Sequence, residues 1–204
     1  MKLIAQIAAY ILHPLFVPIY LMLFLMEVEP VMSLYFGGDK KNFFLLILVL
    51  NVVIGPIVSM LILKRNGWID SLTMPTLKGR SVSYLLTAIW YIATYFLVLK
   101  IGLPIVTKAL FIGLIAVLLL LSAISIKFKI SAHLAALGGV LGVFVWMVHF
   151  YGIWEMSWFF VILLLTGLQA SSRLYLQAHS EREVLMGWLI GLASTFGCLW
   201  AIIG

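Results

Sequence analysis

Residues 104–126, PIVTKALFIGLIAVLLLLSAISI, hold one charged side chain, Lys108, in an otherwise apolar run. A helix crosses a hydrocarbon core in roughly 20 residues, and this run supplies them. The same reading extends to six further stretches, 3–26, 43–63, 82–101, 131–150, 157–173 and 183–203. The first contains His13, Pro14 and Pro18, so the helix there is expected to kink or break. Its length, and the lack of a small-x-small cleavage site after it, mark it as a retained helix rather than a signal peptide.

Composition agrees with this reading. The chain of 204 residues is 65% hydrophobic and only 10% charged, whereas a water-soluble domain is about a quarter charged. The expected fold is all-α, a polytopic transmembrane bundle of about seven spans (six to seven), with residues 1–204 forming one integral membrane domain. Two connections are long enough to be polar loops, 27–42 and 64–81, and YGIWEMSW at 151–158 reads as an interfacial aromatic belt. The one cysteine, Cys198, permits no intrachain disulfide.

A net charge of +6, from 13 basic and 7 acidic residues, would suggest nucleic acid in a soluble protein. Here no basic domain exists to bind it, and the cations are expected to orient helices and meet anionic headgroups. Seven crossings would put Lys2, Lys64, Arg65, Lys78, Arg80, Lys127, Lys129, Arg173 and Arg182 on one side, and Lys40, Lys41, Lys100 and Lys108 on the other. The positive-inside rule makes the first side cytoplasmic. Cations that serve chemistry weaken that inference.

Polar groups in so apolar a chain are functional candidates. In SSRLYLQAHSERE, residues 171–183, a helix beginning at 179 would put His179 and Glu183 on one face as i and i+4. The carboxylate can then fix the imidazole tautomer and leave the second nitrogen free as a nucleophile. At Lys129-Ile130-Ser131-Ala132-His133 a helix N-terminus offers free N–H groups to an anion. There Ser131 either binds a phosphate oxygen or caps the helix, and His133 is placed to act as general acid. Lys78 and Arg80, just before the third span, suit a phosphate. All three segments fall on one side of a seven-span topology, and together they suit an anionic phosphoryl group.

The pattern Ser172-Arg173, five residues, His179, three residues, Glu183 resembles the third signature of the type 2 phosphatidic acid phosphatase family, Ser-Arg-x5-His-x3-Asp. Ser131-Ala132-His133 resembles its second, Pro-Ser-Gly-His, and Lys78 and Arg80 stand where its first, Lys-x6-Arg-Pro, should lie. The likeness spans residues 78 to 183, in a family-like core of about 78–203. Glu183 replaces Asp, Ile130 replaces Pro and Ala132 replaces Gly; the Lys of the first signature would fall on Thr73, and no Pro follows Arg80.

The resemblance implies a membrane phosphatase working without metal or other cofactor through a phosphohistidine. His179 would be the nucleophile, Glu183 its orienting carboxylate and His133 the acid, with Arg173, Arg80, Lys78 and Ser131 holding the phosphoryl oxygens. The partners implied are a phosphorylated or pyrophosphorylated lipid and the surrounding membrane lipids, with the bacterial inner membrane as the location. Two other functions fit the sequence: a degenerate relative that binds lipid phosphate without cleaving it, and a small transporter relaying protons between His13 and His149. Two small-residue pairs, Gly138/Gly142 and Gly187/Gly191, would let the helices bearing His133 and His179 approach closely.

Overall fold

Gly138 and Gly142 on one helix face Gly187 and Gly191 on another, and the contact between these helices organises the bundle. A Cβ on Gly138 would collide with the Trp188 carbonyl oxygen, and one on Gly187 with that of Ser131. On Gly191 it would strike the Ala135 carbonyl, and on Gly142 it would lie 2.6 Å from that of Leu192. Backbone therefore packs on backbone, which only residues without side chains permit.

The computed structural model describes residues 2–36, 39–69, 71, 74, 76–152 and 156–204, and every element among them is helical. In chain order these are α1 (Lys2–Ile11), α2 (Val17–Val28), α3 (Pro30–Tyr35), α4 (Asp39–Leu48), α5 (Gly55–Arg65), α6 (Leu77–Ile101), α7 (Ile105–Ile124), α8 (Ala132–Tyr151), α9 (Met156–Tyr175) and α10 (Glu181–Ile203). A π-helical turn, Val49–Ile54, joins α4 to α5. Among the described residues, six segments are long and apolar enough to span a membrane: Lys40–Arg65, α6, α7, α8, α9 and α10.

The expected first span is broken, as His13-Pro14 predicted. α1 and α2 are 10 and 12 residues long, about 33 Å of helix against a core of about 30 Å. Their contacts descend the length of α8. Ala9 meets His133, Leu12 and Val17 pack on Leu137, and the Tyr151 hydroxyl donates to Glu29. Buried Glu29 also caps α3, accepting from Met32 N at 2.6 Å. The second span continues through its π turn, where Pro56 removes a backbone donor. Asn51 Nδ2 donates to Ile47 O in the same stretch.

Two boundaries correct the sequence reading. The third span begins at Leu77, so Lys78 and Arg80 lie in the first turn of α6 rather than before it. Thr76 starts the helix early by accepting from Gly79 N at 3.2 Å. The last helix begins at Glu181, with Ser180 in extended geometry (φ −82°, ψ 165°), so His179 lies outside it. Gly37, Gly38, Thr73 and residues 153–155 of the aromatic stretch lie outside the described residues.

α8 is the hub. In its most apolar window 61% is buried, against 17% in α9 and 22% in α10. The outer faces carry Leu164, Phe160, Phe96 and Leu185, exposed apolar side chains that lipid would cover. Trp146, Phe111 and Met147 fill the interior.

The α8–α10 contact yields the first prediction. Gly191→Ala should cost about 1–3 kcal/mol of stability, the usual penalty of overpacking, and lower the melting temperature in detergent. Gly197→Ala, where a Cβ meets nothing within 4 Å, should leave the melting temperature unchanged. Equal melting of both variants would contradict the close packing.

Candidate phosphoryl site

The parallel course of α8 and α10 brings their N-termini side by side. Ser131 N donates to Glu183 O at 3.2 Å, and contacts advance along both helices together, from Ser131–Gly187 to Gly142–Leu192. α6 starts at the same end, since Ser81 near its N-terminus bonds Ser122 near the end of α7. Three helix N-termini thus lie at one end of the bundle, each with a partial positive charge and each capped by the Ser or Thr that precedes it.

His179 reaches the site through a tight turn. α9 closes with Gln177 in the left-handed region (φ 51°), while Ala178 N and His179 N both donate to Arg173 O, at 3.0 and 3.4 Å. This is the local chemistry that ends many helices. It ties His179 to the backbone of Arg173.

Ser180 then caps α10 in a capping box. Its hydroxyl accepts from Glu183 N, and the Glu183 carboxylate accepts from Ser180 N, both at 3.4 Å. The same carboxylate oxygen lies 2.7 Å from His179 Nδ1. The expected His179–Glu183 pair therefore forms, through a helix cap rather than along a helix face. Glu183 supplies the third-position carboxylate of that box and the histidine contact with the same oxygen.

With Nδ1 donating to the carboxylate, His179 Nε2 keeps its lone pair, and it makes no hydrogen bond among the described residues. Burial lowers the His179 pKa from its ordinary 6.5, and the charges of Arg80 and Lys129 push the same way. The Glu183 hydrogen bond opposes them without reversing the direction. The ring is uncharged at neutral pH.

Around this pair stand the remaining candidates. Arg173 Nη1 lies 3.4 Å from His133 Nε2, and that nitrogen lies 3.3 Å from Ala9 O. The two contacts are alternatives, because a proton on Nε2 suits the carbonyl and a lone pair suits the guanidinium. Arg80 lies beside the Tyr84 hydroxyl, close enough for its charge to act on Arg173 and His179. Among the described residues neither Arg forms an ion pair, and the Nε of each is buried without a hydrogen-bond partner. Two cations held together without a counter-charge repel each other, and an anion between them relieves that cost.

Two candidates are placed otherwise than expected. Lys78 is exposed and forms no ion pair among the described residues. Lys129 supplies the lysine charge instead, 4.0 Å from Glu183. Ser131 is fully buried, and its hydroxyl accepts from Leu134 N at 3.5 Å. Of its two possible roles it fills the cap.

His13 and the freed Ala9 carbonyl are neighbours that sequence reasoning did not assign to the site. Pro14 was the signal for the break, but only the fold reveals what the break adjoins. His149 packs on Trp200, with ring centroids 4.6 Å apart. It lies about 24 Å along α8 from His133 at 1.5 Å per residue, at the opposite end of that helix.

Below the cluster, between α2, α8 and α9, lies an apolar cavity of about 170 Å³. Leu12, Val17, Leu137, Val140, Phe144 and Trp158 line it. Leu12 adjoins His13, and Leu137 lies one turn beyond His133.

The His179 environment makes a signed prediction. In a pH titration of the histidine ring resonances, His179 should titrate below 6.5. Lys129→Ala should move the midpoint up by removing a repelling cation, and Glu183→Gln should move it down by removing the opposing carboxylate. A midpoint at or above 6.5 in the unaltered protein would contradict the arrangement.

No family model, no curated protein and no solved structure matches this chain.

Proposed function

We propose that the chain is an integral membrane phosphatase acting on a phosphorylated or pyrophosphorylated lipid, with the chemistry of the type 2 phosphatidic acid phosphatase family. The observation that carries this reading is the 2.7 Å His179–Glu183 contact in a locality shared with Arg80 and Arg173, which lack a carboxylate partner among the described residues and whose Nε atoms are buried without a hydrogen bond. The apolar cavity, lined by Leu12 next to His13 in the chain and by Leu137 one turn from His133, supports a lipid over a soluble substrate.

In the first step His179 Nε2 attacks phosphorus and the bond to the leaving oxygen breaks. His133, held as the imidazolium by the bound phosphoryl charge, gives that oxygen a proton and becomes neutral, while the Nδ1 proton of His179 stays shared with Glu183. In the second step water attacks the phosphohistidine. His133 takes the water proton, inorganic phosphate departs and His179 is restored. Arg173 and Arg80 bind the phosphoryl oxygens, and they hold them most tightly as charge builds in the transition state. Lys129 adds positive potential from beside Glu183.

The test is phosphate release from lipid phosphates by the purified protein in detergent with EDTA. His179→Ala should lower turnover by at least about 10³-fold, and His133→Ala by about 10²–10⁴-fold, the span typical of a lost general acid. Turnover that survives His179→Ala would sink the mechanism. A protein that retains lipid phosphate without cleaving it would instead be a binding relative.

The cavity makes a separate prediction. Val140→Trp should raise KM for a long-chain lipid phosphate several-fold more than for a short-chain one. An unchanged ratio would detach the cavity from the substrate.

A further inference from the structure

The broken N-terminal span brings to the site two groups that the proposed mechanism does not use. Pro14 has no N–H, and His13 N donates to Tyr10 O at 3.3 Å instead of to Ala9 O. The Ala9 carbonyl is left open, and His133 Nε2 lies within reach of it. At the same break the His13 ring stands edge-on to His133, with centroids 5.3 Å apart and planes at 83°.

The tautomer of His13 follows from its backbone. Its Nδ1 accepts from Leu15 N at 3.3 Å, so the neutral ring carries its proton on Nε2. That N–H, on the side of the ring away from its own backbone, has no hydrogen-bond partner among the described residues. The charge of Arg173 acts on both His13 and His133, so the three groups share one locality.

We infer that His13 is a third histidine of the phosphoryl site, its Nε2–H donating to a phosphoryl oxygen bound between Arg173 and His133. The inference rests on the function proposed above and adds a ligand from outside the resembled signatures. When the phosphoryl group draws Arg173 Nη1 away, His133 Nε2 carries its proton to Ala9 O. The break then serves twice: its carbonyl positions His133, and its histidine binds the substrate. Pro14 is the covalent reason both are available, since a continuous helix would engage Ala9 O with His13 N.

Two substitutions separate donation from packing. His13→Phe keeps a ring edge against His133 and loses the N–H; His13→Gln keeps an N–H and loses the ring. Binding is measured by calorimetry on the full chain in detergent, with inorganic phosphate in one arm and a long-chain alkyl phosphonate in the other. His149→Ala, at the opposite end of α8, is the control. Dissociation constants should rise roughly ten-fold in His13→Phe, as for a hydrogen bond to a charged group. They should stay within about three-fold in His13→Gln and be unchanged in the control.

Tighter binding of the phosphonate identifies a lipid headgroup as the ligand, and equal binding identifies phosphate alone; the His13 pattern is expected in either case. Equal losses in both His13 variants, a loss in Gln alone, or no loss in either overturns the donor role. If the unaltered protein binds neither probe, the phosphatase reading itself fails. That result differs from the failure of His13 alone.

Discussion

The contact of α8 with α10 through four glycines is the constraint from which the site follows. A membrane offers no hydrophobic drive for helices to associate, so close packing must come from shape. Gly138, Gly142, Gly187 and Gly191 supply it by letting each helix lie on the other's carbonyls. Because the helices run parallel, one contact sets both N-termini at the same height, joined by the hydrogen bond from Ser131 N to Glu183 O. His133 and His179 are placed by that register. Any side chain at Gly191 would separate the two histidines while unpacking the core.

Glu183 shows how few polar groups such a site needs. One carboxylate completes the capping box with Ser180, accepts from His179 and lies beside Lys129. One side chain thus serves both the helix cap and the histidine contact, and the length of Glu suits it to both. The unpaired edges of Arg80 and Arg173 are the counterpart. Their charges repel each other beside helix N-termini that are themselves partially positive.

The N-terminal break turns an apparent defect into a wall of the site. A proline in a membrane helix is tolerated when neighbouring groups satisfy the freed backbone. Here the neighbour is His133, which gives the exposed Ala9 carbonyl a partner. α2 then continues along α8 to Glu29 and Tyr151, anchoring the far end. The apolar cavity lies along this path, lined by Leu12 and Val17 on one side and Leu137 and Val140 on the other.

The amino-acid sequence by itself determined the solvent, the helical class and the approximate spans, because unbroken apolar runs of membrane length admit few other structures. It also carried the His179–Glu183 pair and the glycine spacing, since both are local patterns within one or two turns. The break at His13-Pro14 was legible for the same reason. The tertiary structure decided how these pieces meet. Whether Ser131 caps a helix or binds an anion depended on its burial, and whether Lys78 or Lys129 joins the cluster depended on where α6 begins. That Pro14 opens a carbonyl onto His133, 124 residues away in sequence, is a consequence of packing. Local spacing fixes which groups a turn of chain can present, and long-range packing alone fixes what they face.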